Sequence, residues 1–431
     1  MKKLTLSLLV TFNTVIIAQI KVQDTTSTKS PVARYERDMI SQDGKKGDFN
    51  DKMLNIFFAE KVGTAFGGTN DLSLQKFFAS LDAGENSISV GGNFDDRDDE
   101  LKRLKWVLST GLKMKAKDKF STFYKNGDFQ GSNIGGFFKV TLIGRGLINY
   151  SDKDKINKSI KRKDAIIAYR KHLYSDYELK YTKLKTEEKD IVARQLELQK
   201  YNQEAELPQA ILDKKSDELY IAMAKDEIKY TEDNKLYRYL WNHWLSADVY
   251  IPFGENKYKT TSDFISSPLV DKNFFAISGS LTYNVMWLYS SGESIFLKVK
   301  GAIKNNNNII VDAMTSTPFQ TVSTAANNTT VITNTEDGYI TNFEKFITPT
   351  ITIEPAFFTF NNTVGFSPAI EFNAGKYNKT NWKLGIPISL KDKEGKPKVN
   401  FELQWKEINT FKSSDHIVGV SVNFLFGDMI N

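Results

Sequence analysis

The sequence predicts an all-β transmembrane barrel of about 12 antiparallel strands with an inserted α-helical hairpin. Three observations predict it. Segments of about ten residues alternate apolar and polar along most of the chain. Their apolar faces carry aromatic residues near the segment ends, among them Trp241, Tyr283, Trp287, Tyr289, Trp382 and Trp405, as a membrane-interface girdle would. The first residues read as a secretory signal, yet no internal run reaches the roughly 18 apolar residues that a spanning helix needs.

Residues 1–19 combine Lys2 and Lys3, a run rich in Leu, Val and Ile, and a small Ala18, the pattern of an export signal. The chain of 431 residues has no Cys, which excludes lipid attachment to Cys, disulfides, thiolate metal sites and Cys nucleophiles. Its formal charge of +6 is spread along the chain, and export argues against nucleic acid as a partner. Residues 20–52 are polar and aperiodic and read as a mobile tail.

Residues 53–151 hold the first barrel strands. Asn55 to Phe66 is the weak candidate for strand one, and Leu72 to Leu81 reads as a short helix or loop. Alternation is clear from Ile88 to Phe94, from Leu104 to Met114 and from Phe138 to Tyr150. Residues 152–239 break the rhythm. They are rich in Lys, Glu, Leu, Ala and Gln, and Ile166, Tyr169, Leu173, Tyr177 and Leu184 form one helical stripe. Leu212, Leu219 and Met223 form a second stripe after Pro208, so the segment reads as two helices folded back in coiled-coil fashion. The alternative is one charged loop. Residues 240–431 supply the remaining strands, with an Asn/Thr-rich surface loop over 305–342. The cleanest strand is the last, with Val418, Val420, Val422, Phe424 and Phe426 on one face. Pro349, Pro355, Pro368 and Pro387 interrupt this region and require bulges or strand ends. A soluble sandwich also alternates, but its strands are shorter and its turns more closely spaced.

If the last strand ends in the periplasm, the tight turns at 290–292, 361–362 and 393–396 are periplasmic, and the helical insert falls on the same side. The segment from Ile347, Thr348 and Pro349 through Glu354, Pro355, Ala356, Phe357, Phe358, Thr359, Phe360, Asn361 and Asn362 to Gly365 resembles the strand–turn–strand of outer-membrane β-barrel proteins of the Bacteroidota. That resemblance covers about a fifth of the chain and implies an outer-membrane location, with outer-membrane lipid around it. It implies no catalytic residues.

Chemistry is sparse. No catalytic, cofactor-binding or metal site is expected. His416 beside Asp415 and Ser414 is the best hydrolase candidate, and a polar turn explains it as well. The cluster Asp95, Asp96, Asp98, Asp99 and Glu100 lacks the internal Gly of a calcium loop and reads as a solvated turn. Lumen-facing charges are expected at Lys298, Lys300, Lys304, Arg145, Glu354 and Glu371, either pairing across the interior or lining an anion-leaning pore. A plain pore has no need of the helical insert. The expected function is therefore a non-enzymatic barrel that anchors or scaffolds a cell-envelope assembly, docking other envelope proteins through the helical stripes. The alternative is a porin-like channel or uptake protein.

Overall fold

The computed structural model describes residues 30–39, 51–62, 74–82, 87–95, 103–115, 124–125, 128–129, 131–150, 155–200, 208–263, 268–324, 330–391 and 397–429. The export signal, the charges at Asp96 to Glu100 and the turn at 393–396 lie outside them.

Twelve strands form the wall: β1 (Gln75–Asp82), β2 (Ser87–Phe94), β3 (Trp106–Lys115), β4 (Ile134–Ile143), β5 (Tyr239–Pro252), β6 (Ser278–Tyr289), β7 (Ser294–Asn307), β8 (Lys345–Thr359), β9 (Val364–Asn373), β10 (Thr380–Lys391), β11 (Pro397–Asn409) and β12 (Ser414–Met429). Each pairs antiparallel with its neighbours in the chain, and β12 returns to β1 through Phe77↔Phe426 and Ala79↔Phe424. The sheet is therefore a closed up-and-down barrel with no open edge. A short strand, Leu147–Asn149, continues the line of β4 along β5 after an interruption at Gly144 to Gly146.

Period two assigns the faces. Phe138, Leu142, Ile303, Ile351, Leu390 and Val418 point outward and are exposed. Ser89, Ser109, Thr141, Thr282, Glu402 and Asn423 point inward and are buried. This inversion, apolar outside and polar inside, is what a bilayer selects and water opposes. Two of the prolines fit in a gap in the β8–β9 ladder. The β8–β9 register holds at Ile353↔Ile370 and Phe357↔Phe366, and Pro355 and Pro368 occupy the unpaired gap between them. At the 360–363 turn, Phe360, Asn361 and Asn362 are all left-handed (φ 51°, 53° and 60°), a conformation that Asn tolerates well. Gly91 admits a close approach. A Cβ there would lie 2.6 Å from the Thr110 carbonyl oxygen and 2.8 Å from the Phe78 ring, so only glycine lets Phe78 and Phe137 lie against the wall.

Four helices gather at one end: α1 (Pro31–Asp38), α2 (Asp51–Val62), α3 (Lys155–Lys200) and α4 (Pro208–Asp233). Here the structure corrects the expected boundaries. The weak first strand is a helix, α2, and the first barrel strand is instead 75–82. Met53, Ile56, Phe57, Phe58 and Val62 are all buried, so α2 is apolar on several sides and shows no single stripe. Part of the expected mobile tail is α1, docked through Val32, Tyr35 and Met39. Ser30 followed by Pro31 opens it.

At the opposite end, the expected 305–342 loop is largely ordered. β7 runs to Asn307, whose side chain caps the short helix Asn308–Val311 by accepting from Ile310 N at 2.9 Å. Thr317–Thr324 and Thr330–Ile340 form a hairpin that joins Asn256–Thr261 and Val270–Phe274 in a four-stranded sheet. With Asn and Thr on both faces, that hairpin carries no apolar period to read.

Candidate functional site

The barrel interior is layered along its axis. The layer at the helical end is apolar: Val107, Leu240, Trp244, Met286, Phe296 and Phe358 point inward and are buried. α2 seats on this layer. Phe58 meets Trp244 edge-on at 5.8 Å, Phe57 meets Tyr237 at 6.0 Å, and Leu104 N donates to Asn55 Oδ1 at 3.0 Å. One continuous core runs from this layer through α2 into α1, α3 and α4. The barrel mouth is thereby closed with packed side chains.

The middle layer is ionic. Lys298 and Lys383 both contact Glu354, and Lys383 Nζ reaches Glu402 Oε1 at 2.8 Å. Ser367 Oγ donates to Glu402 at 2.8 Å and to Glu354 at 3.2 Å, and Gln404 Nε2 donates to Glu402 at 2.7 Å. Buried charges persist only when each has its partners, and these two lysines and two glutamates supply one another's. The network ties the neighbouring strands β7 to β11 together on their inner face.

The third layer borders the four-stranded sheet. A cavity of about 1390 Å³ lies between wall and sheet, lined by Lys113, Lys139, Asp248, Lys300, Lys304 and Tyr258 among others. Lys139 stands opposite Asp248 in register, and Ser280 Oγ donates to Asp248 Oδ1 at 2.5 Å.

The expected lumen residues therefore divide. Lys298 and Glu354 meet in the ionic layer, while Lys300 and Lys304 line the cavity. Glu371 faces inward near the sheet end and accepts from Asn381 Nδ2 at 3.0 Å and Asn373 Nδ2 at 3.2 Å. Arg145 is not in the lumen. It sits in the interruption after β4 and is exposed, because the ladder breaks at Gly144 to Gly146.

The expected docking stripe is also reassigned. Ile166, Leu173, Tyr177, Leu184, Leu212 and Met223 are buried. Leu184 and Leu212 pack together with Tyr181, while Leu219 lies partly buried beside them. Tyr169 stacks on Tyr230 at 3.9 Å. The stripes are satisfied within the chain, which removes them as an open docking face. What sequence reading missed is the polar centre they enclose. Arg170 donates to Glu227 from Nε and from its terminal nitrogen, the latter at 2.6 Å, and Tyr35 OH donates to the same carboxylate at 2.8 Å. Arg34 pairs with Asp217 at 2.6 Å and Tyr177 OH donates to Asp226 at 2.8 Å. Burial and Glu227 hold the Tyr35 phenol well above its ordinary range. Burial pushes Tyr174 up to about 12.

Two aromatic groups mark the outer wall. Trp241, His243 and Tyr283 cluster near the helical end, with rings 4.6 and 6.0 Å apart. Trp382, Trp405 and His416 cluster near the other, with Trp382 and Trp405 5.1 Å apart and His416 5.9 Å from Trp405. Both histidines lie among interfacial aromatics. Ser414 Oγ donates to Glu407 at 2.7 Å, tying the start of β12 to the end of β11.

No family model matches the chain, and no curated protein matches it. Among solved structures, the chain is similar to the beta domain of the Bordetella autotransporter Brka, at 6% sequence identity and a TM-score of 0.23, over 81% of this chain and 96% of that one. A likeness this distant says nothing of activity or partners, and the fold described above rests on the closed sheet itself.

Proposed function

We propose that this chain is a non-enzymatic outer-membrane barrel that anchors a cell-envelope protein assembly through its helical bundle. The supporting observation is the continuous core through α2, which seats in the barrel mouth and packs against the bundle at once. A force or orientation imposed on the bundle then passes to the barrel. α3 has 46 residues and α4 has 26, so α3 is about 69 Å long against about 39 Å and overhangs its partner. The short turns at 290–293 and 360–363 share the helical end, which fits a periplasmic bundle.

Docking in this reading uses the outer face of α3, where Ile160, Ile167 and Leu179 are 53, 46 and 69% exposed. Ile167→Glu with Leu179→Glu should leave heat-modifiable migration intact, because neither residue is buried. The protein that co-purifies stoichiometrically with the wild type from native membranes in mild detergent should be lost. Recovery of the same partner by the variant, or a wild type that purifies alone, contradicts the anchoring role.

A second reading, an anion-leaning porin-like channel, is favoured by the lysine-lined cavity. α2 and the ionic layer both stand across its path.

A further inference from the structure

The cavity beside the four-stranded sheet is rich in lysine. Among the described residues, eight lysines and three aspartates line it. Lys298 pairs with Glu354 and Lys259 with Glu336, both glutamates outside the lining. With those two carboxylates added, lysines outnumber acids eight to five among the described residues. A concave site lined by one sign of charge between low-dielectric walls concentrates counter-ions of the opposite sign.

The charges are also spread. Lys113 comes from β3, Lys139 from β4 and Lys300 and Lys304 from β7, while Lys257 reaches in from the overlying sheet and is exposed at the rim. A monovalent anion could meet only one or two of them. A ligand with several anionic groups could meet the set, and about 1390 Å³ is room for such a ligand. Among the described residues no arginine lines the cavity. Lysine ammoniums act as compact point charges with freely turning donors, which suits tetrahedral oxyanions in varied orientations. Ser278 and Thr282 on β6 add hydroxyl groups between the lysine-bearing strands.

We propose that this cavity binds a soluble, multivalent oxyanion carrying phosphate or sulfate groups. The ligand enters from the side away from the helical bundle and stops at the ionic layer. Binding here is separate from the anchoring role, and neither depends on the other.

The test is calorimetric titration of inorganic tripolyphosphate into the full chain in non-ionic detergent. One saturable site is expected, weakening steeply with added salt. Lys300→Gln with Lys304→Gln should weaken binding roughly tenfold or more, since two close charges are lost. Lys163→Gln, exposed on α3 at the far end, should bind as the wild type does. Heat-modifiable migration of the double variant shows that its barrel is folded. Absence of saturable binding, or an unchanged affinity in the folded double variant, overturns the site. Displacement of tripolyphosphate by phosphatidic acid in the micelle overturns its assignment to a soluble ligand.

Discussion

Replacing Phe57 and Phe58 together with alanine should unseat α2 from the barrel mouth while leaving the barrel closed. Both rings are buried, Phe58 against Trp244 and Phe57 against Tyr237. Truncating a buried Phe removes about 3–5 kcal/mol, the transfer term plus the cavity left behind. The two are neighbours and will not add fully. A single 12-residue helix is marginal on its own and depends on its packing. The twelve-strand ladder does not pass through these residues, so heat-modifiable migration should persist. Limited proteolysis reads the outcome. The variant should be cut within 51–62 under conditions in which the wild type is not, and equal resistance of both proteins would show that α2 is held by something else.

The second large effect is expected at Glu227. Its carboxylate accepts from Arg170 and from Tyr35, and all three side chains are buried between α1, α3 and α4. Glu227→Ala leaves the Arg170 guanidinium buried without its counter-charge, which destabilises by about 3–5 kcal/mol. The loss should fall on the bundle alone, as an earlier loss of helical ellipticity on heating.

The same centre makes the bundle sensitive to alkali. Tyr35, Tyr174 and Tyr177 all have raised folded-state values, chiefly through burial. A phenol raised on folding stabilises fully below its unfolded value, and that stabilisation is lost as pH rises through the folded value. Bundle stability should therefore be level up to about pH 10 and decline above it. Tyr35→Phe should flatten part of that decline, measured as helix melting across pH. A decline equally steep in that variant would remove Tyr35 from the account.

Much of the wall could be read from the sequence because lipid imposes a simple rule. β12 shows Val418, Val420 and Phe424 outward and Ser421 and Asn423 inward, and the alternation is the fold. β1 was not legible, because Phe77 faces outward while Phe78 faces inward against Gly91, so adjacent aromatics blur the period. α2 was not legible for the opposite reason. It is buried against the barrel on one side and α4 on another, so its apolar residues form no single stripe. α1 left a fainter signal, Ser30 and Pro31 followed by Val32, Tyr35 and Met39 at helical spacing.

The helical stripes were visible, but their occupant was not. Apolar periodicity says that a face is covered without saying by what, and here α1, α2 and the opposite helix cover it. The ionic layer was partly visible as Lys298 and Glu354. Alternation also turns Lys383 and Glu402 inward, and that the four charges meet depends on which strands the barrel sets side by side.

The central claim is that bundle and barrel form one body, joined at the mouth through α2. The chain has no cysteine, so an introduced pair reports without background. Asn55 on α2 and Leu104 at the start of β3 are joined by a hydrogen bond, and Asn55→Cys with Leu104→Cys places two thiols there. Treatment of native membranes with a short thiol cross-linker should give nearly complete intramolecular linkage. Failure to link, while a pair at the neighbouring wall positions Ser389 and Asn400 links readily, would contradict the claim.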